Sequence, residues 1–245
     1  MIKNNIKIEL FCGDSLEIMK QIENESIDLI VTDPPYKMTK RGKSCRPNWM
    51  HNNMKENLFD GDLPNFKQWL SLCYLLLKKD AHIYIFTNTV SLQEILNSAT
   101  DLKFKLHNLI TMIKDTNMPN RWYLKQTELI LFFRKGKAFP INDMTSRDWF
   151  HASMPTLKNN KIHITQKPVE PLKKLITNSS KEYDIVLDLF SGSCSSAIAC
   201  IETNRSFIGI EKDVENFNKA VIRVKDYIKE NNIKNVELII HENNI

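Results

Sequence analysis

The stretch that most constrains this chain is Ile27-Asp28-Leu29-Ile30-Val31-Thr32, which closes on Asp33-Pro34-Pro35-Tyr36. The run is short, β-branched and mostly apolar, the pattern of a buried strand. Two prolines end it, because each fixes its own φ and holds the preceding residue extended. An acid, a proline carbonyl and an aromatic ring are thereby fixed at the carboxyl end of a strand. Open α/β sheets bind their ligands there.

That group of residues suits an exocyclic amine on a nucleobase. Such a nitrogen is a poor nucleophile, because its lone pair is delocalised into the ring. Asp33 can accept one N–H and the Pro34 carbonyl the other, which favours a tetrahedral, more nucleophilic nitrogen. Tyr36 can stack on the base. A base inside a duplex cannot reach such a pocket and has to be flipped out. The plainer alternative is a strand that ends in an ordinary Pro-Pro turn.

A length of 245 residues and 42% hydrophobic content fit one large α/β domain with a sizeable core. The net charge of +5 suits an anionic partner without identifying one. Cys12, Cys45, Cys73, Cys194 and Cys200 are odd in number and lack zinc-ligand spacing, so reduced thiols in a cytoplasmic protein are expected, with no metal. The polar N-terminus has no signal-peptide core, and no apolar run approaches membrane-spanning length.

In chain order, residues 6–11 alternate as a strand. Asp14 or Ser15 can cap the helix that follows, and Asp14 could instead accept from an adenine amino group. Between residues 37 and 46 lie five basic residues and no acid: Lys37, Lys40, Arg41, Lys43 and Arg46. With Trp49 they form a long loop without period, suited to phosphate contacts and base stacking or else merely solvated. A helix with Phe66, Trp69, Leu70, Cys73, Tyr74 and Leu77 on one face precedes a buried strand at 81–86. Another helix reaches about residue 99. Strands follow at 105–114 and 128–134, joined by an aperiodic segment in which Arg121 and Trp122 could line a groove. Residues 136–161 read as a surface insert.

The next cluster is His163-Ile164-Thr165-Gln166-Lys167-Pro168, which opens an amphipathic helix over 169–178. Lys167 and the helix amino end favour an anionic group such as a carboxylate, although by themselves these residues are better explained as a helix cap with a solvated Lys. A buried strand at 184–190 leads into Ser191-Gly192-Ser193-Cys194-Ser195-Ser196 and a helix. Small residues there let a ligand approach the backbone. Glu211 ends the next strand about 20 residues on, where an acid can bind both ribose hydroxyls. The loop lacks the Gly-Lys-Ser/Thr of a P-loop, which disfavours ATP. A helix over 214–230 and an edge strand at 236–240 complete the chain.

Together these pieces resemble the β group of DNA amino-methyltransferases, the adenine-N6/cytosine-N4 enzymes. The resemblance covers nearly the whole chain. It implies an α/β, doubly wound, mostly parallel sheet with a Rossmann-like S-adenosylmethionine-dependent methyltransferase fold. The order is permuted, with the catalytic half first, in a single domain over 1–245. The loop at 37–60 and a short target-recognition insert at about 136–161 belong to it. By the resemblance, Asp33, Pro34, Pro35 and Tyr36 are the catalytic motif, and Asp at its first position leans toward adenine, since the N4 enzymes usually have Ser there. Cofactor binding falls to Asp14, Asp33, Thr165, Lys167, Asp188, Phe190, Ser191, Gly192, Ser193, Cys194, Ser195 and Glu211. Lys37, Lys40, Arg41, Lys43, Arg46, Trp49, Arg121 and Trp122 are expected at double-stranded DNA. The group also admits a homodimer and a companion restriction endonuclease. The sequence departs from the family pattern at Cys194, which stands where the family has the last glycine of its cofactor loop. Rival readings are methylation of cytosine N4 or of an RNA base, and a non-catalytic DNA-binding relative.

Overall fold

The computed structural model describes residues 5–35, 65–118, 123–154 and 166–242. Its elements run β1 (Ile6–Cys12), α1 (Ser15–Met19), β2 (Ile27–Thr32), α2 (Phe66–Leu76), β3 (Leu77–Thr87), α3 (Leu92–Asp101), β4 (Lys105–Met118) and β5 (Lys125–Arg134). They continue as β6 (Trp149–Ala152), α4 (Val169–Ser179), β7 (Ile185–Asp188), α5 (Ser195–Glu202), β8 (Ser206–Glu211), α6 (Val214–Glu230) and β9 (Val236–His241). The described strands form one sheet in the order β6-β4-β5-β3-β2-β7-β8-β1-β9. Only β5 runs antiparallel to its neighbours, β3 and β4; the other pairings are parallel.

Period-2 alternation sorts the sheet's side chains onto two faces. On β3, Tyr84 and Phe86 join the cluster covered by α4, α5 and α6, while Ile83 and Ile85 join the one covered by α1, α2 and α3. Helices on both faces make the sheet doubly wound, as expected. The chain winds from β2 to β3 in one direction and from β7 to β8 in the other. The order therefore reverses between β2 and β7, and a crevice opens at the carboxyl ends of those two strands. Both Asp33 and Asp188 stand at that point.

Several boundaries differ from the sequence reading. Strands β4 and β5 extend into the segment expected to be an aperiodic connection, to Met118 and from Lys125, and β7 is shorter than expected. The third strand begins at Leu77 rather than Ala81: Leu77 caps α2 in an extended conformation and pairs with Ile27. The register then breaks around Asp80, which adopts a left-handed φ of 65°, and resumes at His82. Within the expected surface insert, Trp149–Ala152 instead adds a parallel strand to β4. The expected tail strand is present as β9, paired with β1 at the sheet edge. No helix of the described residues is long and apolar enough to cross a membrane.

Trp69 of α2 is fully buried, edge-on to Phe66 and to Phe190, so this helix supports the loop after β7 directly. Truncating it leaves a large cavity beneath that loop. Trp69→Ala should cost about 3–5 kcal/mol of stability, read as a lower urea midpoint at an unchanged slope.

Candidate active site

Asp33 follows the last residue of β2, with Pro34 buried behind it. Its Oδ2 meets Lys167 Nζ at 2.7 Å. Its Oδ1 is buried and has no hydrogen-bond partner among the described residues. Lys167 comes from the segment that opens α4, and the same ammonium lies 2.9 Å from Glu128 of β5. Lys114 of β4 lies 3.3 Å from Glu128 on its other side. In the sheet β3 separates β5 from β2. Lys167 spans that gap above the ring of Phe86, with Nζ 5.1 Å from its centroid. Burial pushes the Asp33 carboxyl above the usual range, and Lys167 acts against this. For Glu128 the net shift is downward: burial raises it, but the two lysines outweigh burial.

Asp188, at the end of β7, is handled differently. It is buried without a cation and accepts three hydrogen bonds. Thr32 Oγ1 at 3.0 Å and the Phe190 amide at 3.2 Å donate to Oδ1, and Ser196 Oγ at 2.7 Å donates to Oδ2. Burial still dominates, so its pKa is pushed up to about 6, with the nearby Asp33 charge acting in the same direction. The bond from Thr32 ties the end of β2 to the end of β7 across the crevice.

The loop after β7 folds over β8. Ser191 donates its amide and its hydroxyl to the Ile210 carbonyl, and Gly192 donates its amide to Glu211 Oε2 at 2.9 Å. The Asp213 amide donates to the other Glu211 oxygen at 2.9 Å. Burial raises the Glu211 pKa, partly offset by these backbone donors. A carboxylate oxygen has two lone pairs, so each oxygen keeps a site for a further donor.

Gly192 and Cys194 both adopt left-handed backbone, with φ of 48° and 55°. Glycine does so freely, whereas a residue with a Cβ is strained by roughly 1–2 kcal/mol. Cys194, which stands where the family has a glycine, thus occupies a backbone conformation that glycine adopts more freely. Its thiol is buried, which pushes its pKa up to about 12. The loop is held in this shape by Arg223 of α6, whose Nη1 donates to the Ser193 carbonyl at 2.7 Å and to Ser195 Oγ at 3.0 Å. Ser195 Oγ donates in turn to the Lys167 carbonyl at 2.8 Å.

Asp14 caps α1 through a 2.9 Å bond from the Leu16 amide, and its other oxygen pairs with Lys212 at 2.9 Å. These contacts hold its pKa below the usual value. The Lys167 ammonium was expected to meet an anion. The anions beside it here are the protein's own Asp33 and Glu128. Tyr36, Lys37, Lys40, Arg41, Lys43, Arg46, Trp49, Arg121, Trp122 and Thr165 lie outside the described residues. Lys114, Glu128, Thr32, Ser196 and Arg223 belong to the site and were not singled out in the sequence. The one available signal was a charged residue at the inner end of an otherwise apolar strand, as with Glu128 before Leu129-Ile130-Leu131.

A DNA methylase family model matches residues 27–221. The Type II methyltransferase M.HpaI of Haemophilus parainfluenzae is 30% identical over 239 residues, covering 88% of this chain and 73% of the relative. The Type II methyltransferase M.HinfI of Haemophilus influenzae is 30% identical over 256 residues, covering 92% and 71%. Among solved structures, M1.HpyAVI in complex with SAM superposes with a TM-score of 0.66 at 26% identity, covering 88% of this chain and 99% of that one. The cytosine-N4-specific PvuII DNA methyltransferase superposes at 0.67 with 16% identity over 98% of each chain, a likeness of fold alone. The chain belongs to the N6/N4 DNA methyltransferase family.

The raised pKa of Asp188 makes a signed prediction. The folded state holds this proton more tightly than the unfolded chain, whose aspartates titrate near 3.9. Ionised Asp188 therefore weakens the fold above pH 6, by about 2–3 kcal/mol, and the penalty fades as pH falls from 6 to 4. Asp188→Asn should be more stable than the native protein at pH 8 and close to it at pH 4, as read by urea unfolding at both.

Proposed function

We propose that this protein transfers the methyl group of S-adenosylmethionine to the N6 amino group of adenine in double-stranded DNA. The observation that carries the reading is Asp33 Oδ1, a buried carboxylate oxygen with no partner among the described residues. A buried acceptor without a donor is costly, and a substrate N–H would relieve the cost. The aspartate at this position supports adenine over cytosine.

The loop from Ser191 to Ser196 is built of small residues, and Glu211 keeps acceptor capacity at the end of β8, so the residues present fit an adenosine-bearing cofactor. Bound there, S-adenosylmethionine supplies a methyl group on a sulfonium, already a good leaving group. What remains for the protein is placement, which is worth most of the rate in such a displacement. Asp33 Oδ1 and the Pro34 carbonyl each accept one amine N–H, and Tyr36 stacks on the flipped base. Lys167 neutralises Asp33 Oδ2 and leaves Oδ1 to the amine. Lys37, Lys40, Arg41, Lys43 and Arg46 contact phosphates, Trp49 wedges or stacks against bases, Arg121 and Trp122 contact the DNA, and residues 136–161 contribute to target recognition. The whole chain acts as a single catalytic domain in the cytoplasm, compatible with a homodimer and with a companion restriction endonuclease.

The test is incubation with S-adenosylmethionine and unmethylated DNA, digestion to nucleosides and mass spectrometry. N6-methyladenine is expected; N4-methylcytosine, or no methylated base, overturns the reading. Asp33→Ala should lower methyl transfer by on the order of a hundredfold or more, the scale of losing one placed hydrogen-bonding group. Calorimetry should show the same variant still binding S-adenosylmethionine.

A further inference from the structure

We propose that Glu128 is a positioning residue of this site: it shares the Lys167 ammonium with Asp33, and so sets both which Asp33 oxygen is left for the substrate and how much positive charge that carboxylate feels. The catalytic consequence rests on the function proposed above; the structural claim does not.

Four charged side chains stand in a row of alternating sign, each from a different part of the fold. Lys114 lies 3.3 Å from Glu128, Glu128 2.9 Å from Lys167, and Lys167 2.7 Å from Asp33. Their side chains are only 13%, 16%, 12% and 23% exposed, in that order. Charges this buried persist only when paired. Two lysines balance two carboxylates, so the row as a whole is neutral. The order within it matters. Lys167 is the inner cation and is divided between two acids, whereas Lys114 serves Glu128 alone among these pairs. A second cation keeps Glu128 ionised in spite of its burial, and an ionised Glu128 can hold the Lys167 ammonium over Phe86. From there the ammonium reaches Asp33 Oδ2 and leaves Oδ1 without a donor among the described residues.

The charged groups that face Asp33 are Lys167 from the segment before α4, Glu128 from β5, Lys114 from β4, and Asp188 from β7. Burial raises the Asp33 pKa, Lys167 and Lys114 lower it, and Glu128 raises it. Glu128→Gln keeps the side-chain length and an oxygen that can accept from Lys167, while removing the negative charge. Asp33 then faces two cations with one fewer competing anion, and its proton affinity falls. Lys114→Met removes a cation and acts with the opposite sign.

The experiment is a carbon-13 NMR titration of protein labelled at its aspartate carboxyl carbons, with the Asp33 signal assigned by its absence in Asp33→Asn. It needs neither cofactor nor DNA. Glu128→Gln is expected to move the Asp33 midpoint down by about half a pH unit or more, and Lys114→Met to move it up, in keeping with neighbouring-charge effects of this range. Should Glu128→Gln fail to fold, Lys114→Met, a change nearer the sheet edge, carries the test alone. An unmoved midpoint, or movement of both variants in one direction, overturns the proposal. In methyl-transfer assays the acid limb of the kcat profile should shift with the midpoint, whereas a merely structural Glu128 would lower kcat evenly at all pH values. A native protein that methylates no DNA would sink the function reading and leave the titration to decide this one.

Discussion

Two carboxylates buried side by side at the reversal point of the sheet are the constraint on which this site depends. Asp33 and Asp188 stand at the carboxyl ends of neighbouring parallel strands, β2 and β7, where burial raises both carboxyls and the Asp33 charge raises Asp188 further. The fold compensates them in two ways. Asp188 receives three hydrogen bonds from uncharged donors, which fix its geometry but leave its pKa high. Asp33 receives a cation on one oxygen only. The first arrangement is complete within the protein. The second leaves an acceptor over, and that difference separates a loop-shaping aspartate from one available to a substrate.

The same contacts join the two halves of the site. Thr32, immediately before Asp33, donates to Asp188 and so ties the end of β2 to the end of β7, from which the Ser191–Ser196 loop opens. On the other side, Arg223 holds the Ser193 carbonyl and Ser195, and Ser195 holds the backbone of Lys167. A continuous path of direct contacts thus runs from α6 through the loop to the ammonium on Asp33. This bracing also explains how the loop keeps a left-handed Cys194. Strain of that size persists where the surroundings over-determine the backbone, and Arg223 with the Ser191–Cys194 turn supplies the restraint.

Much of this was legible in the sequence, for physical reasons that can be named. Strands β1, β2, β7 and β8 are short apolar or alternating runs bounded by turn residues, and their burial leaves little freedom of interpretation. Asp33 and Glu211 were legible as acids at the ends of buried strands, and Asp188 through the likeness of its loop to the family's cofactor loop. Lys114 and Glu128 were not. Each stands at the margin of an apolar run, Lys114 after Ile113 and Glu128 before Leu129, where a charged residue ordinarily faces solvent. They meet only because the antiparallel ladder sets Met112 opposite Glu128, a register no local pattern declares. The start of β3 was hidden by Lys78-Lys79-Asp80, which look like a turn and form an irregularity within the strand instead. Strand β6 is four residues at a sheet edge, of which only Ala152 is buried, too short to show a period.

The most direct test of the account is a crystal structure with S-adenosylhomocysteine and a duplex carrying the sequence this protein methylates. The account predicts the target adenine flipped out, with its amino nitrogen about 2.7–3.2 Å from Asp33 Oδ1 and Lys167 still on Oδ2. An amino group held elsewhere, or one bound to Oδ2 with Lys167 displaced, would contradict it.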